Sequence, residues 1–321
     1  MRHLRISSAL AWLGVGAVAA SAALAAAPPG EGRIPVAVVN ADLAAIVQRV
    51  GGADVATTVL FTGCVLRPGL AVEPRALAGL VSAEALVWSG LFHESAAIFQ
   101  AVENLKPEQR ERLRQPLWID ASEGTVRVKV PTSSCEGFVP IQFMHGDPFF
   151  WLNPENGAVI ARTIAAGLGQ LRPARAVAFQ SNAEAFATDL AARIQGWRAR
   201  LAPLAGTRVF VTQCGWANLA RLGPAFMSCR SEPGVLARPQ VLADQINAQQ
   251  VPIVVVDPHT PPEYAETFRA QTRARVVVIP SSIAEIPGAR EYHALFDHLV
   301  ERLLEAAGQG ASRGASGGGD A

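Results

Sequence analysis

The residues with the greatest capacity for chemistry are four cysteines and a few histidines in loops. A cysteine thiolate and a histidine ring both bind Zn²⁺, and a site dominated by thiolates also suits Cu⁺. The cysteines could instead form disulfides, and four cysteines allow three complete pairings that the sequence does not distinguish. The residues concerned are Cys64, Cys135, Cys214, Cys229, His145 and His259.

Catalytic chemistry has little support in the sequence. The serine pair Ser281-Ser282, Cys214 and the scattered histidines form no recognisable combination of nucleophile and base. No glycine-rich phosphate-binding loop follows a predicted strand. We therefore expect a binding protein and not an enzyme.

Composition and charge limit the classes of partner. The chain has 321 residues, of which 50% are hydrophobic, enough for two domains with their own apolar cores. Its 28 lysines and arginines nearly balance 27 aspartates and glutamates, for a formal charge of +1. No overall field attracts a polyanion, so nucleic acid is not an expected partner.

The first residues are typical of a secretory signal peptide. Residues 1–5 carry two arginines, residues 6–24 are small and apolar, and small-x-small cleavage sites end at residues 25 and 27. A single transmembrane anchor is the alternative, because the apolar run approaches the roughly 20 residues that span a bilayer. The Pro28-Pro29-Gly30 segment ends the apolar run and favours cleavage. No cysteine lies near it, so a lipid anchor is not expected. We therefore expect a periplasmic protein, in a compartment where disulfides persist.

The rest of the chain alternates short β-branched runs with segments of helical periodicity, which predicts parallel sheets covered by helices on both faces. The predicted strands are residues 34–40, 57–61, 85–88, 117–120, 126–130, 208–212, 252–257 and 276–280. The predicted helices are residues 41–50, 74–81, 106–114, 153–171, 174–201, 217–222, 239–247, 262–272 and 292–307.

The longest helical pattern, residues 174–201, would extend roughly 40 Å at 1.5 Å per residue, more than one lobe needs. It predicts a link between two lobes. The predicted division is a signal peptide at 1–27, an N-terminal βα lobe at 34–173, a linking helix at 174–203, a C-terminal βα lobe at 204–307 and a disordered glycine- and serine-rich tail at 308–321.

Three segments resemble the cluster A-I solute-binding proteins, the metal receptors of bacterial ABC importers. Residues 83–94, AEALVWSGLFHE, are similar to the family's Ala-Asp-Leu-Val-Val-x-x-Gly-x-x-x-Glu segment. Residues 146–156, GDPFFWLNPEN, resemble its most specific signature, Gly-Asp-Pro-His-x-Trp-Leu-Asp-Pro-Glu-Asn. Residues 279–297 resemble the family's C-terminal strand, loop and helix, so the likeness extends over about residues 34–307.

This resemblance implies an α/β fold with two βα lobes, parallel sheets and a long spine helix, and a metal held in the cleft by histidines from strand-end loops. It implies a periplasmic, monomeric substrate-binding component that delivers zinc, another transition metal or a metal complex to the membrane permease of an ABC importer. The alternative is a non-transporting binding or scaffold protein that kept the fold and lost its metal.

The family's ligand positions, carried over one at a time, hold poor metal ligands in this chain. The best matches for these positions are Pro68, Phe149, Gln213 and Ser281. The family's histidine-rich acidic loop is also missing from the sequence. The resemblance therefore implies either a remodelled metal site or none.

Nearby residues could supply a replacement site. Cys64 lies four residues before Pro68, His145 four before Phe149, and Cys214 directly follows Gln213. His259 follows a strand of the second predicted lobe, where loops of open α/β sheets line the crevice. These four residues are the candidate ligands of a remodelled metal site. Two disulfides, Cys64–Cys135 and Cys214–Cys229, are the favoured interpretation of the cysteines, and unpaired buried cysteines are the third. For His145 an ordinary hydrogen bond within a loop is favoured over a metal.

Two further residues near the predicted cleft have simpler interpretations. Glu94 could be a ligand, but a carboxylate that favours the start of a helix is the plainer interpretation. Trp151 is expected to pack in the core beneath the cleft.

Overall fold

The computed structural model describes residues 32–61, 71–89, 92–113, 115–127, 149–212, 214–227, 230–232, 235–236 and 238–314. At some of them, Cys214 and residues 309–314 included, only the backbone is described. The strands are Ile34–Val38 (β1), Val55–Val59 (β2), Ala85–Trp88 (β3), Leu117–Asp120 (β4), Arg208–Val211 (β5), Ala225–Met227 (β6), Arg230–Glu232 (β7), Val235–Leu236 (β8), Ile253–Val256 (β9) and Arg275–Val278 (β10). The α-helices are Ala41–Gly51 (α1), Pro74–Ser82 (α2), Phe92–Glu103 (α3), Pro107–Arg112 (α4), Asn156–Leu171 (α5), Ala176–Leu201 (α6), Pro239–Ala248 (α7), Pro262–Gln271 (α8) and Ala294–Gly314 (α9).

Two parallel sheets organise the described residues. The first has the strand order β2-β1-β3-β4 and the second the order β10-β9-β5-β6, while β7 and β8 form a separate antiparallel pair. The central strands are almost wholly apolar and buried, as expected for parallel strands covered on both faces. The predicted fold class, two parallel βα sheets with a long helix, is confirmed.

The long helix α6 contacts elements of both halves of the chain. Its 26 residues correspond to about 39 Å. It packs against α1 and α5 beside the first sheet, and against α9 beside the second. Its buried residues recur at helical spacing, among them Phe179, Phe186 and Trp197, so one face of the helix is apolar along its length.

The apolar core is continuous between the two sheets. One cluster of buried residues contains Val38 and Val87 of the first sheet together with Val209 and Val255 of the second. A smaller cluster lies under α7 and α8, on the other face of the second sheet. The packing of the two sheets is therefore linked through shared side chains.

The observed boundaries differ from the predicted ones at several points. Helix α5 begins at Asn156 and not at residue 153, because the Asn153 side chain accepts a hydrogen bond from the Glu155 N–H and forms a turn before the helix. Residues 126 and 127 belong to no strand, and residues 128–130 lie outside the described residues. The residues predicted as helix 217–222 form a 3₁₀ helix, Cys214–Leu222.

The last helix is longer than predicted, and residues at both ends of the chain lie outside the described part. Helix α9 continues to Gly314, beyond the predicted end at residue 307, because adding a turn to a formed helix is easier than starting one. Residues 315–321 and the predicted signal peptide lie outside the described residues. Within the described residues, no helix combines the length and the apolar character needed to span a membrane.

Candidate functional site

Polar residues follow the carboxyl ends of four strands and are buried there. Asn40 follows β1, Thr212 follows β5, Asp257 follows β9 and Ser281 follows β10. Loops at the carboxyl ends of parallel strands line the ligand crevice of open α/β sheets. This is therefore the place where the fold would present a ligand site.

Asp42, in the first turn of α1, joins the two sheets at this place. Its Oδ2 accepts a hydrogen bond from the Ser282 hydroxyl at 2.7 Å, and its Oδ1 accepts one from the Ile283 N–H at 3.0 Å. Burial raises the pKa of Asp42 to about 6, although both hydrogen bonds act in the opposite direction. The loop after β10 is thus tied to the helix after β1 by a buried carboxyl group.

Tyr292 stands beside this link as a neutral hydrogen-bond donor. Its hydroxyl donates to the backbone carbonyl of Trp151 at 2.5 Å, and its ring packs against Phe296. Burial, together with the charge of Asp42, raises the pKa of Tyr292 well above its ordinary value. The phenol therefore keeps its proton and positions the segment that contains Phe149.

Phe149 stands at the position that the sequence resemblance assigns to a histidine ligand. Its side chain is 1% exposed, and its ring lies 5.5 Å from that of Trp151. Gly215 fits closely against it, since a Cβ at that glycine would lie 2.7 Å from the Phe149 Cβ. A phenyl ring has no lone pair for a metal, so this position contributes apolar packing and no ligand.

His259 forms a polar cluster with two carboxylates beyond β9. Its Nε2 lies 2.5 Å from Glu285 Oε1, and its backbone N–H donates to Asp257 Oδ1 at 2.9 Å. Burial raises the pKa of Glu285, while the hydrogen bond from His259 lowers it. Asp257 Oδ2 and Glu285 Oε2 are both buried without a hydrogen-bond partner among the described residues. The imidazole is 36% exposed and so remains accessible from solvent.

Of the other predicted site residues, only some belong to the described part of the structure. Ser281 is buried beside the Asp42 link and is a poor ligand for a metal. Six positions lie outside the described residues: Cys64, Pro68, Cys135, His145, Gln213 and Cys229. For Cys214 only the backbone is described. Their roles as ligands or in disulfides stay predictions. Among the described residues, no three histidine, cysteine, aspartate or glutamate side chains converge as a metal site.

The two plainer interpretations fit what the structure shows. Glu94 lies in the first turn of α3, and its Oε1 accepts hydrogen bonds from both the N–H and the hydroxyl of Ser89. Trp151 is 3% exposed and packs within the aromatic cluster around Phe149. Glu94 therefore connects the first turn of α3 to the residue that follows β3, and Trp151 is a core residue.

Asp42 is a buried residue of the candidate site that was not predicted from the sequence. The signal was present, because Asp42 lies on the same helix face as the apolar residues Ile46 and Val50, four and eight positions on. A lone carboxylate on a buried face needs a partner or a proton. What the sequence does not contain is the identity of that partner.

Two parallel sheets covered by helices, with one long helix in contact with both halves and buried polar residues at the strand ends, define an α/β fold of the open parallel-sheet class. Residues 36–306 match the family described as "ZnuA: Zinc-uptake complex component A periplasmic". Because this match covers most of the sequence, the chain belongs to that family.

Individual relatives share a modest sequence identity with this chain, over about half of its length. The high-affinity zinc uptake system protein ZnuA of Brucella abortus (strain 2308) is 28% identical over 166 residues, which cover 50% of this chain and 49% of the relative. The ZnuA protein of Brucella suis biovar 1 (strain 1330) matches with the same values. The chain thus spans about half the length of the curated relatives that it matches.

Solved structures share the fold over a greater length. A ZnuA deletion mutant with zinc bound has a TM-score of 0.69 at 20% identity and covers 86% of this chain and 98% of its own. The SBP FpvC of Pseudomonas aeruginosa, in complex with Mn²⁺, has a TM-score of 0.67 at 18% identity and covers 88% and 99%. At this level of identity the similarity establishes the fold.

Proposed function

We propose that this chain is the periplasmic substrate-binding component of a zinc-type metal-ion ABC importer, with a remodelled metal site. The observation that supports this most is the family match over residues 36–306, on a fold with two parallel sheets and a helix in contact with both halves. The substrate would be a metal ion or a metal complex, and the partner a membrane permease. The role is binding and delivery, without catalysis.

The domain division belongs to the same proposal. Residues 1–27 would direct export, residues 34–173 and 204–307 would form the two lobes, and residues 174–203 would connect them. The contacts of α6 with α1, α5 and α9 support this division. The shared apolar core between the sheets favours small relative movements of the lobes over wide opening.

For the ligands we propose Cys64, His145, Cys214 and His259. Phe149 and Ser281 provide no good ligand at the family positions, so other side chains must hold any metal. His259 is the proposed ligand whose surroundings are described, and its hydrogen bond to Glu285 resembles the carboxylate support that orients metal-binding histidines. Thiolate and imidazole together favour zinc, or Cu⁺ where thiolates dominate.

The test is elemental analysis of the mature chain purified without an affinity tag, followed by thermal unfolding with Zn²⁺, Mn²⁺ and Cu⁺. A metal at 100 times its Kd should stabilise the native state by about 2.7 kcal/mol and raise the midpoint accordingly. The Cys64→Ser/Cys214→Ser and His259→Ala variants should lose most of the shift. His298→Ala, which removes a histidine of α9, should retain it.

A flat response to all three metals would overturn the proposal and indicate a chain that kept the fold without metal binding. Titration of thiols in the unfolded, unreduced chain would separate the two interpretations of the cysteines. Reactive thiols at Cys64 and Cys214 agree with a metal site. Thiols that appear only after reduction indicate disulfides instead.

A further inference from the structure

A second concave surface lies at the opposite end of the second sheet from the candidate site. It is a groove of about 870 Å³ between the end of α8, the amino ends of β9 and β10, and residues 302–307 in the middle of α9. The candidate site lies at the carboxyl ends of the same strands. The groove, which we call the basal groove, is therefore a separate surface.

The basal groove carries a local excess of positive charge. Four arginines line it, against a single carboxylate, Glu305, which is ion-paired with Arg302. Four positive charges less one negative charge leave an excess of three, whereas the whole chain has a formal charge of only +1. The four arginines are Arg269, Arg273, Arg275 and Arg302.

The helix ends explain only part of this charge. Arg269 lies in the last turn of α8, where a cation offsets the negative end of the helix dipole. Arg273 follows the end of α8, and Arg275 is the first residue of β10, so neither is part of a helix. Arg269 and Arg273 are exposed, with no ion pair or hydrogen bond from their guanidinium groups to other described residues. Two guanidinium groups thus remain free to bind a ligand.

We propose that the basal groove binds an anionic ligand that presents phosphate or carboxylate groups, either a small soluble molecule or a lipid headgroup. A guanidinium group presents paired N–H donors that match the oxygens of a carboxylate or phosphate. The volume falls within the roughly 300–1,000 Å³ of small-molecule sites and exceeds what one inorganic ion fills. Such an anion relieves the repulsion between clustered arginines, because it places opposite charge between them.

The test uses the full mature chain, freed of metal, with three probes: pyrophosphate, citrate and vesicles that contain phosphatidylglycerol. Isothermal titration measures the first two, and co-sedimentation the third. We expect saturable binding of at least one probe, weakened at least tenfold in Arg269→Gln/Arg273→Gln. Arg200→Gln, which removes an exposed arginine of α6, is the matched control and should bind as the unaltered chain does.

Each outcome has a defined meaning. Binding of pyrophosphate or citrate that the double variant loses supports a soluble ligand, and binding of vesicles alone that it loses supports a lipid headgroup. Absence of binding to all three probes, or equal binding by the double variant and the control, overturns the proposal. The thermal shift of the double variant with Zn²⁺ is measured in parallel. Because this variant keeps the proposed metal ligands, the shift tests the metal proposal separately from the basal groove.

Discussion

The carboxylate of Asp42 and the hydroxyl of Ser282 are hydrogen-bonded at 2.7 Å, although 240 positions separate them in the chain. Both residues are buried, at 1% and 6% exposure. Asp42 belongs to the helix after the first strand, and Ser282 to the loop after the last. This contact therefore ties the beginning of the fold to its end, beside the candidate site.

The first prediction concerns the pH dependence of stability. Because burial raises the pKa of Asp42 from 3.8 to about 6, the folded state holds this proton more tightly than the unfolded chain. The stability that the protonated Asp42 carboxyl group contributes is fully present below about pH 4. It is lost as the pH rises through about 6, a change of about 3 kcal/mol. Asp42→Asn should remove this dependence.

Urea unfolding of both proteins between about pH 4 and about pH 8 measures the effect. Between these pH values the unaltered chain should lose about 3 kcal/mol of unfolding free energy that Asp42→Asn keeps. Asp244→Asn, at an exposed position of α7, should show no such trend. A difference for Asp42→Asn that stays constant with pH would contradict the raised pKa.

The second prediction concerns the buried aromatic side chain of Phe149. Phe149→Ala removes a fully buried ring that packs against Trp151 and Gly215, so it should leave a cavity and destabilise the fold by about 3–5 kcal/mol. Phe99→Ala, where the ring is 53% exposed, should change stability by roughly 0.5 kcal/mol. Chemical unfolding checks both, and similar losses for the two variants would refute the packing role of Phe149.

The third prediction compares two glycines within helices. A Cβ at Gly167 of α5 would lie 2.4 Å from Ile119 Cδ1, whereas a Cβ at Gly196 of α6 would meet nothing within 4 Å. Gly167→Ala should therefore destabilise by about 1–3 kcal/mol through overpacking. Gly196→Ala should stabilise by about 0.5–1 kcal/mol, because alanine favours the helix. Thermal unfolding decides between them, and a stabilised Gly167→Ala would show that the contact adapts freely.

The fourth prediction concerns the pair formed by His259 and Glu285. The hydrogen bond from His259 lowers the pKa of Glu285 against the larger effect of burial, so His259→Ala should raise that pKa further. Carboxyl-carbon NMR titration of glutamate-labelled protein measures this directly. His298→Ala should leave the Glu285 titration in place, and an unchanged titration in His259→Ala would mean that the pair is not formed in solution.

Local pattern was sufficient for most of the secondary structure. The alternation of apolar strands with helices and the exact bounds of β3 and β4 were predicted. The long helix α6 was predicted with a start two residues too early. These predictions held because hydrophobic periodicity records which face of each element is buried. Short elements such as β6 and β7 were missed, since three residues carry too little periodic signal. The family was also evident from a short signature, whose altered residue Phe149 predicted the loss of one ligand.

The sequence by itself determined the βα order, the family and the absence of good ligands at Phe149 and Ser281. Only the tertiary structure decided that Asp42 meets Ser282, that Phe149 is enclosed by Trp151 and Gly215, and that burial raises the pKa of Asp42. The physical reason is that periodicity reports which residues are buried, while their partners and pKa values depend on groups brought close from distant parts of the chain.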